Sequence, residues 1–212
     1  AVPGVQSGAP LFVGILEFKL PDGTNSTLQT FATHVSNRDF LSPEIGSQYD
    51  RLAQENTALI DTKTRGVAPE IFADLKEGKP FAFEVNGQTL TAIGTLKLGG
   101  GFTADGTLFV SDQTFLRFFG KRTSGAPNHI LLKVADGVSP KVVVERLRAV
   151  LPAASVQVNT MDDYKAAELA YQSLERPTGI IFGFGVLIGV IVGLVIVYQV
   201  LSTDVADHLK EY

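Results

Sequence analysis

Enzymatic chemistry needs side chains that can act together, and this sequence offers few. There are three histidines and no cysteine. His34 falls in a strand-like stretch, His129 begins another, and His208 lies near the C-terminus. No two share the i, i+4 spacing that sets a pair of imidazoles on one helix face for a metal. Lack of cysteine removes a thiol nucleophile, a disulfide scaffold and any thiolate metal site. A hydrolase or lyase asks for a nucleophile beside a base, or for two cooperating carboxylates, and no such convergent set can be read. Gly99-Gly100-Gly101 follows Leu98, but no Gly-Lys-Ser/Thr comes after it and no clear helix begins there, so it reads as a flexible turn rather than a phosphate loop. Asn25-Ser26-Thr27 fits the N-glycosylation pattern, yet at a hairpin tip it reads as a polar turn. The chain is therefore expected to have no catalytic residue, no metal site and no cofactor of its own.

The residues with a clear physical task are glycines. Gly185, Gly189 and Gly193 recur every four residues and share one helix face, while Gly179 and Gly183 form a second pair. Gly183 and Gly185 are two residues apart, ~200° around a helix, so the two small-residue faces lie on roughly opposite sides. In lipid, small residues at this spacing let neighbouring helices approach closely. The element that must carry them is Gly179–Leu201, which holds no charged side chain. At ~1.5 Å per residue it is about 35 Å long, enough for a hydrocarbon core of ~30 Å. A helix is required there because lipid offers no partner to backbone N–H and C=O groups. Pro177 suits a helix start or a kink, and Tyr198 with Gln199 suits an interfacial belt. The membrane helix is placed at residues 178–202. A buried core helix of a soluble protein is the alternative, and length with absence of charge argues against it.

Charge excludes one further class. Lys and Arg number 18 against 22 Asp and Glu, a net charge of −4, where a nucleic-acid binder wants a basic stripe. The chain starts Ala1-Val2-Pro3 without methionine or signal peptide and stops soon after the apolar run. It reads as a fragment of a larger membrane protein.

The residues ahead of the apolar run read as alternating strands and helices. Leu11–Leu20 and Leu28–Val35 are strands joined by the turn residues Pro21-Asp22-Gly23-Thr24-Asn25. Asn37–Asn56 is polar and irregular, and its Ser42-Pro43-Glu44 and Gly46 read as short turns or one helical turn. Thr57–Thr62 is a strand, and Ala68–Glu77 a helix with Pro69 at its start and Gly78 at its end. Phe81, Phe83 and Val85 alternate into Asn86-Gly87, a strong hairpin signal, and the chain returns through Gln88–Leu96. After the turn Asp105-Gly106 comes strand Thr107–Val110, then a short helix capped by Asp112 and carrying Phe115, Leu116, Phe118 and Phe119. His129–Val134, Pro140–Leu151 and Ser155–Val158 read as strand, helix and strand, a right-handed crossover with parallel strands. Ser139 would cap its helix, and Val144, Leu147 and Leu151 would form the buried face. Thr160 with Asp163 is a capping-box variant opening a helix from Met161 to about Arg176.

Val195–Tyr212, VIVYQVLSTDVADHLKEY, resembles the DevC-type permeases of ABC exporters, within the superfamily of MacB-like and FtsX-like permeases. Gly101–Phe119, GFTADGTLFVSDQTFLRFF, resembles the same family where its extracytoplasmic domain returns toward the membrane. Lys76–Gly94, KEGKPFAFEVNGQTLTAIG, is similar to the pattern of the family's inserted β-rich subdomain. The resemblance covers most of the chain, least so the first 40 residues.

That resemblance implies an α+β fold: a MacB-like periplasmic domain, with a mixed α/β porter-like part and an inserted β-rich subdomain, followed by one transmembrane helix. Residues 1–40 and 121–160 would form the porter-like part, 41–120 the insertion, 161–177 a helix leading to the membrane, and 203–212 the start of a cytoplasmic segment. It implies a non-catalytic permease subunit in the inner membrane with residues 1–177 periplasmic. The implied partners are a separate ABC ATPase, a periplasmic adaptor, an outer-membrane channel and a second permease copy, and the cargo is lipidic or other envelope material. Asp204, Asp207, His208, Lys210 and Glu211 would then lie near the ATPase coupling surface. The positive-inside count points the other way, since Lys165 and Arg176 precede the helix and Lys210 alone follows. A membrane-anchored ligand-sensing domain is the alternative from another class. A membrane-anchored envelope enzyme is disfavoured by the missing catalytic set.

Overall fold

The computed structural model describes residues 2–19, 23, 25–99, 104–171 and 177–208. They fall into two compact units, Pro3–Val138 and Ser139–Tyr212. The first carries strands β1 (Val5–Lys19), β2 (Asn25–Thr33), β3 (Thr57–Asp61), β4 (Phe81–Val85), β5 (Gln88–Leu96), β6 (Gly106–Ser111) and β7 (His129–Val134), with helices α1 (Pro43–Tyr49), α2 (Pro69–Lys76) and α3 (Asp112–Phe118). The expected α+β class is present.

The strands run in the order β2-β6-β3-β5-β4-β1-β7, and β1 also pairs back onto β2. Six strands therefore close into a ring, and β7 hangs on the outer half of β1. The long β1 makes this possible by dividing its register: Val5–Leu11 face β7, while Phe12–Lys19 face β2. Its link to β4 is the single pair Phe18 and Val85. β2–β6 and β3–β5 are parallel and the other pairings antiparallel. Strands from residues 1–40 and from 41–120 thus hydrogen-bond directly to one another.

Alternation fills the ring. Phe12, Leu16, Leu28, Ala58, Ile60, Leu90, Leu108 and Val110 belong to one buried cluster that Leu75 of α2 and Phe115 of α3 complete. Full burial of each large apolar side chain contributes about 1.5–3 kcal/mol. On β5 the register slips: Ala58 faces Ala92, but Leu59 faces Gly94. Ile93 is the extra residue, and one extra residue turns every later side chain to the opposite face. Leu90 and Ala92 accordingly sit in the ring cluster, while Leu96 joins Ile45, Tyr49, Leu52, Leu59 and Phe109 in a second one, with Ile93 packed against it.

That second cluster extends the one helical turn allowed near Ser42–Gly46 and corrects the rest of the irregular reading of Asn37–Asn56. The segment is helical, as α1 flanked by 3-10 turns at Val35–Phe40 and Asp50–Ala53. Leu41, Ile45, Tyr49 and Leu52 follow one another at helical spacing, and together they cover the outer face of β3, β5 and β6. His34 is the N-cap of the first 3-10 turn rather than a strand residue. Asn25-Ser26-Thr27 opens β2 instead of forming a turn, and Gly106 is already the first residue of β6. The cap of α3 is Ser111, whose hydroxyl accepts from Thr114 N–H, and Asp112 is one residue inside. Pro21, Asp22, Thr24, Gly100 and Gly101 of the expected turns lie outside the described residues.

The β4–β5 hairpin is as expected. Asn86 (φ 50°) and Gly87 (φ 73°) both take the left-handed conformation, which gives a two-residue turn the twist its flanking strands need.

The second unit comprises α4 (Pro140–Val150), α5 (Met161–Ala170) and α6 (Pro177–His208). α4 starts after Ser139, which makes no side-chain cap bond, and buries Val143, Val144 and Leu147. Leu151, expected on that face, is its C-cap and 37% exposed. Ser155–Val158 forms no strand. Its backbone bonds are local: Ser155 and Val156 N–H both donate to the Pro152 carbonyl, and the Val158 carbonyl accepts from Arg148. The strand–helix–strand crossover is therefore not formed, and β7 finds its partner in the antiparallel β1.

Candidate functional site: the apolar helix and its approach

Within α6, Gly179–Val205 is long and apolar enough to cross a membrane, with a mean hydropathy of 3.1 and no buried residue in its most apolar stretch. At ~1.5 Å per residue it extends about 40 Å. Side chains all around it are exposed, from Ile180 at 44% to Tyr198 at 72%. A helix apolar on every side has no polar face to offer water, so its medium must be lipid or other protein. A Cβ added at Gly183, Gly185, Gly189 or Gly193 would meet nothing within 4 Å. The stripe of Gly185, Gly189 and Gly193 is therefore open, as is Gly183 of the second pair; Gly179 lies in the same helix and is half-buried. Where the helix turns polar, Thr203 Oγ1 donates to the Gln199 carbonyl at 2.9 Å, which satisfies the hydroxyl within the helix. Asp204 is exposed, and Asp207 and His208 are in the last turn of α6. Lys210 and Glu211 lie outside the described residues.

The approach to α6 begins at Thr160. Its hydroxyl accepts from Asp163 N–H at 3.1 Å and donates to the Asp163 carboxylate at 2.7 Å. A Glu would reach back to the cap's own N–H, whereas the shorter Asp takes the hydroxyl instead. Two acidic residues in the first turn, Asp162 and Asp163, complement the helix dipole. The expected helix to Arg176 is described as far as Ala170, with Tyr171 as C-cap; residues 172–176 lie outside the description.

Two histidines stand in the first unit. His34 Nδ1 accepts from Ser36 N–H and sits 2.8 Å from Ser36 Oγ, and His129 is an exposed residue opening β7. Among the described residues no three His, Asp or Glu side chains are placed to hold a metal ion. A groove of about 170 Å³ lined by Phe18, Val67, Ile71, Phe81 and Phe83 has Lys19 and Glu84 at its rim. That is below the ~300 Å³ at which ligand pockets start.

Three polar residues that sequence reasoning missed carry the internal wiring. Tyr49, fully buried, shares its hydroxyl proton between the carbonyls of Thr33 (2.7 Å) and Val110 (3.0 Å) and accepts from Thr33 N–H (3.1 Å). Burial pushes its phenol well above the usual range, against the opposing effect of the Thr33 bond and with a smaller push from Asp112. Asp61, also fully buried, accepts the N–H groups of Lys63, Leu98 and Gly99. Asp105 accepts from Thr27 N–H (3.0 Å), Ser26 Oγ and Thr27 Oγ1 (both 3.2 Å), with Arg65 at 3.7 Å. The Thr27 N–H bond, aided by the two hydroxyls and Arg65, holds its carboxyl below the usual range despite partial burial. A carboxylate ending an apolar strand, as in Thr57–Thr62, is the one sequence signal that could have found Asp61.

No family model matches the chain, and no curated protein matches it. Solved structures are similar. The extracellular domain of the noncanonic ABC-type transporter YknZ from Gram-positive bacteria is 14% identical, with a TM-score of 0.47, over 71% of this chain and 76% of that one. The periplasmic region of MacB from Actinobacillus actinomycetemcomitans is 16% identical, with a TM-score of 0.44, over 70% and 68%. A domain of a putative permease protein from Porphyromonas gingivalis is 16% identical, with a TM-score of 0.41, over 71% and 67%.

Proposed function

We propose that this chain belongs to the DevC-type permease subunit of an ABC exporter and has no catalytic site of its own. The observation that carries the reading is α6: a helix with lipid-compatible side chains on every side, whose C-terminal half and tail, Val195–Tyr212, bear the family resemblance. In this reading the subunit lies in the inner membrane with residues 1–177 periplasmic and residues 203–212 entering the cytoplasm. A partner ATPase supplies the energy, and the periplasmic domain changes shape to pass lipidic or other envelope material to an adaptor and an outer-membrane channel. The two glycine stripes (Gly179 with Gly183, and Gly185 with Gly189 and Gly193) are the packing faces for other membrane helices, a second permease copy included. Asp204, Asp207, His208, Lys210 and Glu211 stand at the coupling surface.

The experiment is a pull-down of the full-length protein from membranes with mass spectrometry of its companions. Recovery of an ABC ATPase and a periplasmic adaptor is expected. Recovery of neither, with a kinase or cyclase domain on the same polypeptide, would make the chain a sensor instead.

A further inference from the structure

α5 follows α4 in the second unit, and its side chains over Met161–Ala170 are exposed. One polar link joins the stretch just ahead of it to α4. Arg148, on the last turn of α4, donates from Nε (2.9 Å) and Nη2 (2.6 Å) to the Val158 carbonyl, and from Nη2 to Asn159 Oδ1 (3.1 Å). The guanidinium fork is rigid and planar, so gripping one carbonyl with two N–H groups fixes direction as well as distance. One residue further on, Thr160 caps α5 through Asp163. Between the helices, residues 152–159 contain no helix or strand to hold the spacing.

We propose that Arg148 is a strut that makes α4 and α5 move as one body, so that a shift of α4 is handed to the helix approaching the membrane. Arg148 is a positioning residue here and touches no cargo. The geometric claim stands on the Arg148 bonds alone; its consequence for export rests on the permease reading.

The chain has no cysteine, which makes a clean distance test possible. Lys141→Cys on α4 and Lys165→Cys on α5, both exposed positions, are spin-labelled in the full-length protein in lipid nanodiscs, and the interlabel distance distribution is measured. With Arg148 intact a single narrow distribution is expected. Arg148→Ala should broaden it about twofold or more. Arg148→Lys, a single ammonium without the fork, and Asn159→Ala, which removes one of the three bonds, should give intermediate widths. Unchanged width in Arg148→Ala, with the protein folded by circular dichroism, overturns the strut. The Asn159→Ala variant keeps the test open should Arg148→Ala misfold: a width equal to that of the intact protein overturns it equally. Broadening without any co-purifying ATPase upholds the strut and overturns the permease reading. Broadening together with lost export and retained ATPase activity upholds both.

Discussion

Single buried polar groups decide how this domain responds to substitution and to pH. Tyr49→Phe removes the hydroxyl that serves Thr33 and Val110 and leaves those backbone groups buried without it. The expected cost is about 1–3 kcal/mol, measured by urea unfolding. Because the folded-state phenol is raised, the protonated form is favoured on folding. Its contribution is complete below the unfolded value of ~10 and fades as pH rises above it. The alkaline fall in stability should therefore be shallower in Tyr49→Phe. Asp105 has the opposite sign. Its folded carboxyl is lowered, so its contribution is complete above the ordinary carboxylate value of ~3.9 and is lost as pH falls through the lowered one. Asp105→Asn should lower Tm near about pH 7, and the difference should shrink steadily as the pH falls below the ordinary carboxylate value. A Tm difference that does not change with pH across that range would show that the ionised form is not what matters. Neither residue was legible in the sequence. A lone Tyr in a polar stretch and an Asp beside a Gly look like surface residues, and only ladders formed far along the chain bury or engage them.

Elements were legible where the chain alone dictates them. The β4–β5 hairpin is local, since Asn86-Gly87 selects a turn whose backbone already carries the strand twist. Gly87→Ala tests this, because an added methyl meets nothing within 4 Å and the φ of 73° alone opposes it. The expected loss is about 1–2 kcal/mol, read by thermal melting. No loss would mean that the turn relaxes to another type. α2 and α4 were legible for the same reason, as Pro at the first position pre-sets the helix. Elements went astray where a partner decides. Ser155–Val158 has strand-like residues, but its bonds are taken by Pro152 and Arg148. The helical Val35–Ala53 is broken into three short pieces, and its Leu41, Ile45, Tyr49 and Leu52, although at helical spacing, stand among polar residues until the face of β3, β5 and β6 takes them. A strand's partner is a property of the whole sheet, and no window of the sequence contains it.

At the scale of the molecule, the sequence divides its own environment: a ring of strands with its core inside, and a helix apolar on all sides. The division was legible because lipid demands a run of residues that no soluble core requires. Which surfaces of that helix meet protein is a separate question, and the glycines address it. If Gly189 lies at a close helix–helix contact, Gly189→Leu inserts a side chain where backbones approach. Overpacking of that kind costs ~1–3 kcal/mol, about tenfold or more in an assembly equilibrium. Val190→Leu, one residue on and ~100° around the helix, keeps a large apolar side chain where one already stands and serves as the control. Gly189→Leu should lower recovery of the assembled complex from membranes roughly tenfold while leaving the melting of the strand domain unchanged, and Val190→Leu should do neither. The paired measurement separates two physical meanings of the same pattern. A glycine stripe that packs is sensitive to volume on one face alone, whereas a stripe that is merely tolerated in lipid accepts leucine anywhere along it. Normal assembly with leucine at position 189 would therefore remove the packing role from the whole stripe, since Gly185 and Gly193 share that face.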